Sequence, residues 1–390
     1  APMDETLLEE VAHVPTERTD MLTHEDIVGA FETAGVLLGP VLRTLGRGPN
    51  WLADGLRWRY QRFLLPDYAC GWIAPAVRRG LALVRRYRPE VIYATGPPHS
   101  DLVIGAILAA LTGRPLVADF RDLWVDYPGG GVRHTLREWS GRKLERWVCG
   151  RADRVVNVTE GNSALLAAKY PHQPAERFVT IRNGWDAGDF PSTPPPRTTK
   201  ERMTIAYVGS LYYRQTPQWW LRALERAAEA DPALRQAVRM RFVGDVGEYE
   251  PMLKESSFAD RIERVGPVAH RQAVEAMLAA DVLLLLIGVG GKDVMTGKIY
   301  EYLATRRPIL AMVPAGGEAA DLLAAAAATR VVDSTDVDGA VAALRSLHEQ
   351  WRRGQLPEGD AEFAARFERR QLTGQLAEVL DGCVGRAAGR

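Results

Sequence analysis

Lys292 to Pro308 reads KDVMTGKIYEYLATRRP. It joins an acidic residue, Asp293, to a small-residue turn with a lysine, Thr296-Gly297-Lys298, and then to a carboxylate, Glu301. The apolar run before it, Asp281-VLLLLIGVGG, suits a buried parallel strand. The pattern after Gly297 predicts a helix. A helix start offers unbonded backbone N–H groups and the positive end of the dipole, which suits a diphosphate. Glu301 lies four residues after Gly297 on the same helical face, one turn further along. A carboxylate there accepts hydrogen bonds from paired sugar hydroxyls. Strand, glycine turn and helix form the repeating unit of an α/β fold. An ordinary strand–loop–helix junction with a surface lysine is the rival reading.

The same alternation extends along the chain in both directions. Apolar runs at Val91-IYAT, Pro115-LVADF, Arg154-VVNVT and Val179-TIRNG are separated by helical patterns. A break follows at Pro191-STPPPRTTK, whose prolines among small polar residues read as a linker over 191–200. A second series then runs through Met203-TIAYVG, Val238-RMRFVG, Ile262-ERVG, Asp281-VLLLLIG, Pro308-ILAMV and Thr329-RVVD. Ala361 to Gly382 reads as one helix. The expectation is two doubly wound, Rossmann-like domains that face each other across a cleft, with the ligand beyond the carboxyl ends of the strands.

The candidate residues occupy those strand ends. Gly209-Ser210 allows close backbone approach to a phosphate, and Arg214 offers a cation. Residues near Val265–Val268 could flank a nucleobase, Val268 among them. Asp281 reads as a residue that orients a strand rather than one that does chemistry. In the first half, His99 follows Gly96-Pro97-Pro98 at a helix start, where a hydroxyl or phosphate ligand and a capping role both fit. Asp119, Arg121 and Asp122 crowd one strand end. Burying three charges together is costly unless they pair or meet a ligand, so they are read as one functional group, with an internal ion-pair cluster as the alternative.

Bulk properties bound the rest. A chain of 390 residues suggests two or three domains. The 46% apolar and 25% charged fractions are those of a globular protein. Basic and acidic residues number 49 each, so no global bias toward nucleic acid follows. Cys70, Cys149 and Cys383 are odd in number and far apart, as free thiols in a reducing cytoplasm would be. No metal-ligand spacing appears, and the apolar runs are too short to span a membrane. Val41 to Glu90 carries ten arginines against three acids, interleaved with Trp51, Trp58, Tyr60, Phe63 and Trp72. That mixture suits either an anionic membrane surface or a solvated basic face.

TGPPHS, VADFRDLW, IRNGWD, YVGSL and TGKIYEYLATRRPIL occur in this order. Together they resemble the retaining GT-B glycosyltransferases of the family 4 type, over roughly Ile73 to Val332. The resemblance implies an N-terminal acceptor-binding domain over 1–190 and a nucleotide-sugar-binding domain over 201–360. It also implies that 361–390 returns to the first domain. Gly209, Ser210, Arg214, Val268, Thr296, Gly297, Lys298 and Glu301 would hold the donor, a UDP- or GDP-sugar that serves as substrate with no separate cofactor. His99, Asp119, Arg121 and Asp122 would hold a glycan, lipid-linked or small-molecule acceptor. Lys298, Asp293, His99 and Arg121 would serve catalysis. The chain departs from the family pattern in four ways. Asp293 stands where relatives have the first of two glutamates. Ser210 and Thr216 stand where many have Arg and Lys, and Arg121 stands where many have His. The family's opening strand and Gly-Gly loop are missing, which suggests an upstream segment. The implied activity is retaining sugar transfer in polysaccharide or natural-product biosynthesis, cytoplasmic or peripheral at the inner membrane face. The alternative is a catalytically silent homologue that binds nucleotide or scaffolds a biosynthetic complex.

Overall fold

A computed structural model describes residues 13–21, 65–125, 136–191, 201–212 and 215–388. The first series comprises α1 (Ile73–Tyr87), β1 (Ile92–Gly96), α2 (His99–Thr112), β2 (Leu116–Phe120), α3 (Leu136–Arg151), β3 (Arg154–Asn157), α4 (Glu160–Lys169) and β4 (Phe178–Thr180). The second begins with β5 (Met203–Val208), α5 (Gln218–Ala230), α6 (Pro232–Ala237), β6 (Val238–Val243), α7 (Glu250–Glu255), β7 (Ile262–Gly266) and α8 (His270–Ala279). It ends with β8 (Val282–Leu286), α9 (Lys298–Thr305), β9 (Ile309–Val313), α10 (Glu318–Ala324), β10 (Thr329–Asp333), α11 (Val337–Arg352), α12 (Ala361–Ala365) and α13 (Arg369–Ala388). Every strand run expected from the sequence forms.

The strands make two parallel sheets, one ordered β1-β2-β3-β4 and the other β10-β9-β8-β5-β6-β7. Counted from β5, the second order is 3-2-1-4-5-6, the doubly wound arrangement with its topological switch point between β5 and β8. Both sheets are Rossmann-like. By contact the chain divides into two compact units. The first gathers the described residues up to Val158, Asn162–Thr180 and α13 from Leu376 onward. The second holds Thr159–Gly161 and Ile181–Gln375. Of the expected linker, 192–200 lie outside the described residues.

The second sheet is covered on both faces, which is why its strands read as unbroken apolar runs. Alternate residues of β5 supply two cores. Met203, Ile205 and Tyr207 pack with Trp220 and Leu224 of α5, while Ala206 and Val208 pack with Ile299, Tyr302 and Leu303 of α9. Asp281 sets the register of β5 against β8. It is 2% exposed, its carboxylate accepts from Thr204 N at 2.8 Å, and its own N–H donates to Thr204 O at 2.9 Å. Asp281→Ala should therefore lower unfolding free energy by about 2–3 kcal/mol, because it strands a buried N–H. Urea unfolding reads the effect, and an unchanged midpoint would remove this clamp.

The C-terminal segment differs from the single helix expected. It breaks between α12 and α13, where Phe367 O accepts from Trp185 N at 3.1 Å and Arg369 N donates to Trp185 O at 2.9 Å. These groups are spent across the fold instead of along a helix. A Cβ on Gly184 would lie 2.2 Å from Phe367 O, so only glycine admits this approach. The arginine-rich helix α1 turns its apolar side inward, where Ala76, Val77 and Leu81 pack with Ile104 and Leu108 of α2. Arg78, Arg79, Arg85 and Arg86 face outward. Residues 41–64 of the basic stretch lie outside the described residues.

Candidate functional site

The second unit's site grows from the switch point. β5 ends in a turn at Gly209, whose φ is +119° and whose N–H donates to Val243 O at 2.8 Å. A Cβ on Gly209 would lie 2.8 Å from Lys298 Nζ, so the lysine occupies the space a side chain would fill. Next door, β8 leads through a partly exposed loop to α9, which begins at Lys298 with Gly297 as N-cap and no side-chain cap. Backbone bonds close the first turn, from Ile299 N to Thr296 O at 3.2 Å and from Tyr300 N to Gly297 O at 3.1 Å, so the positive end of the helix dipole, rather than a row of free N–H groups, is what this start offers. Thr296 Oγ1 in the same turn is buried with no hydrogen-bond partner among the described residues.

Lys298 lies back across Tyr207. Its Nζ donates to the Tyr207 hydroxyl at 2.6 Å and sits 4.1 Å from the ring centroid. Tyr207 in turn donates to Gln215 Oε1 at 2.7 Å or to Ser210 O at 3.1 Å. Burial pushes the Lys298 ammonium down to about 7, with Glu301 pulling the other way. Burial also raises the Tyr207 phenol, which keeps it protonated and able to hold this chain of donors. Glu301 sits on α9 with its carboxyl raised by burial, against the charges of His270, Arg369 and Lys298. Among the described residues no side chain hydrogen-bonds this carboxylate. His270, at the start of α8, pairs with Asp189 at 3.0 Å.

Gly209, Ser210, Thr296, Gly297, Lys298 and Glu301 thus gather where β5 and β8 end. Val268 follows β7 and packs partly buried against the core that includes Ile299 and Tyr302 of α9. Asp293 is exposed on the loop before α9. Arg214 lies outside the described residues, so nothing places it.

In the first unit His99 is the first residue of α2, after Pro98 as N-cap, so the histidine is not the cap. Its ring stacks on Trp124 with centroids 5.0 Å apart, and Nε2 lies 3.4 Å from Asp122 O. Burial lowers its pKa, which favours the neutral ring near pH 7. Asp119 is 8% exposed and accepts from Tyr93 Oη at 2.6 Å and Thr95 Oγ1 at 2.9 Å. Arg121 and Asp122 are exposed. The expectation of three charges buried together is therefore corrected: only Asp119 is buried. Strand alternation stops at Phe120, and Arg121 N turns to Gly96 O at 3.0 Å. His99 and Asp119 belong to two separate arrangements.

The sequence reading missed Tyr207, Gln215, Trp124, Tyr93 and Thr95. Tyr207 had one visible signal. A tyrosine in a buried strand, two residues before a glycine turn, needs a partner for its hydroxyl.

Residues 18–184 match a protein family described as a glycosyl transferase 4-like domain. No curated protein sequence matches the chain. Among solved structures, a glycosyltransferase from Rickettsia africae superposes with a TM-score of 0.60 at 9% identity, covering 93% of this chain and 96% of that one. HepE of Anabaena, solved in complex with UDP-glucose, gives 0.54 at 18% identity over 80% of this chain and 83% of that one. A sucrose-phosphate synthase from Thermosynechococcus elongatus gives 0.56 at 15% identity over 80% and 78%. At these identities the likeness shows a shared fold, with two parallel-sheet, Rossmann-like units.

Proposed function

We propose that this chain moves a sugar from a nucleoside-diphosphate donor to an acceptor hydroxyl with retention of anomeric configuration. One observation carries the reading. Lys298, at the start of α9 where no side chain caps the helix, sits at the switch point against Gly209, with the half-buried carboxylate of Glu301 one turn further on. The family match over 18–184 and the sugar-nucleotide complex of HepE support it.

The donor's anomeric carbon–oxygen bond breaks with oxocarbenium character, and the diphosphate leaves with the electron pair. Lys298 and the α9 N-terminus stabilise the charge that develops on it. The acceptor attacks from the face the diphosphate leaves, and its proton passes to the leaving phosphate oxygen. Holding both partners then supplies much of the rate. Glu301 would hold ribose hydroxyls, Val268 would flank the base, and Asp293 would hold the donor sugar. His99 and its neighbours in the first unit would serve the acceptor. The three free cysteines suit a reducing cytoplasm.

A thermal-shift screen with UDP-, GDP- and TDP-sugars tests donor binding. Ligand at about a hundred times its Kd should raise the midpoint by roughly 3 °C or more. No shift with any nucleoside diphosphate or donor would sink the reading. Asp293, one methylene shorter than glutamate, also favours a second reading as a nucleotide-binding homologue without transfer. Donor hydrolysis or transfer by the purified chain separates the two.

A further inference from the structure

Helix α3 carries an exposed face to which the transfer reading assigns no residue. Its inner side is spent on the fold. Val148 and Cys149 lie in the first unit's core, and Glu145, 1% exposed, accepts from Lys169 Nζ at 2.5 Å and Tyr170 Oη at 2.6 Å. Its outer side presents Trp139, Arg142, Lys143, Arg146 and Trp147, all exposed. These positions fall at the spacing of a single helical stripe. Trp139 is 60% exposed and Trp147 41% exposed. At a rise of about 1.5 Å per residue they stand roughly 12 Å apart along the helix. Lys143 Nζ lies 5.5 Å from the Trp139 ring centroid, and Arg142 pairs with Glu138 at 2.8 Å. Two indoles therefore bracket cations on a narrow outward face.

We propose that this face of α3 docks on the anionic headgroup layer of a lipid bilayer. Indole has an apolar body and an N–H tip, so it settles where one end is dry and the other wet. Cations set between interfacial aromatics suit anionic headgroups, which pair with the charge while the indoles enter the layer. No helix among the described residues is long and apolar enough to cross a membrane, so the contact lies on the surface. Helix α1 is the obvious competitor, with its outward arginines. Its apolar side already packs on α2, and among its own residues Tyr87 is the single exposed aromatic, so it offers no pair of indoles. The proposal does not rest on the transfer reading, and its test uses no donor or acceptor.

The test is co-sedimentation of the full chain with vesicles of mixed phosphatidylglycerol and phosphatidylcholine, against phosphatidylcholine alone. Wild type should pellet with the anionic vesicles only, and less at high salt. Lys143→Gln with Arg146→Gln should weaken partitioning by about fivefold per cation removed. Trp139→Ser with Trp147→Ser should weaken it at least tenfold and remove the vesicle-induced blue shift of indole emission. Arg85→Gln with Arg86→Gln serves as the contrast and should keep the blue shift. Unfolding midpoints should match wild type in all three. Failure of wild type to pellet, or equal pelleting by wild type and the α3 variants, overturns the proposal. So does a fall in the tryptophan variant's oligomeric size with unchanged pelleting, which would assign the face to a second copy of the chain.

Discussion

Replacing Lys298 by methionine is expected to lower kcat/KM for transfer by about 10²–10³-fold, the usual cost of losing a preorganised electrostatic group. The unfolding midpoint at pH 7 should stay at or above the wild-type value. Both results follow from where the lysine sits. Its ammonium is pushed from 10.5 down to about 7 chiefly by burial. At about 1.4 kcal/mol per unit, the charged form then costs the native protein a few kcal/mol before any ligand arrives. Methionine has similar length and no such cost.

The unfolded lysine keeps its proton to about 10.5, while the native one releases it near 7. Between those values the unfolded state holds more protons, so this group makes stability rise with pH. The stability of wild type relative to Lys298→Met should rise across that window and stay flat below pH 7. Diphosphate raises the lysine's pKa in the complex, so binding above pH 7 takes up a proton and weakens as pH rises. Calorimetry in buffers of different ionisation enthalpy would detect this uptake in wild type and not in the variant. Transfer at wild-type rate by Lys298→Met, or an unchanged pH slope, would remove Lys298 from the site.

The sheets were legible because parallel strands buried on both faces leave apolar runs such as Val282–Leu286 and Ile309–Val313. The strand ends were legible too, because glycine turns and helix starts follow those runs, but the strand order that makes the end of β5 a switch point came only with the fold. What escaped was every feature made by packing between distant segments. The break between α12 and α13 comes from the backbone of Trp185, far away in sequence. Nothing in Phe367 or Glu368 announces it. Tyr207 and Lys298 are 91 residues apart and meet only because β5 and α9 share a core. The group Asp119, Arg121 and Asp122 looked like one site because charge was counted along the chain. A strand end separates its members, and Asp119 finds its partners on β1 instead.

Glu301→Gln and Asp293→Asn should fail in different ways. Glu301 carries a carboxyl raised by burial, and among the described residues no side chain hydrogen-bonds its oxygens. A half-buried acid without a hydrogen-bond partner is costly to the native state, so relieving it should not lower stability. If the carboxylate grips ribose hydroxyls, its charge-assisted hydrogen bonds are worth about 1.5–3 kcal/mol each. Glu301→Gln should then weaken binding of the nucleoside diphosphate itself by roughly 10- to 100-fold, and transfer in proportion. Asp293 is exposed on the loop before α9, where a donor sugar would lie beyond the diphosphate. A nucleoside diphosphate has no sugar for it to hold. Asp293→Asn should therefore leave nucleoside-diphosphate affinity within about twofold while lowering kcat/KM for the whole donor by about 10²-fold. Calorimetry with the diphosphates and kinetics with the donors separate the two effects. Equal loss of diphosphate affinity in both variants would put Asp293 on the nucleotide rather than the sugar. Unchanged affinity in Glu301→Gln would mean that the carboxylate at the heart of KDVMTGKIYEYLATRRP is structural.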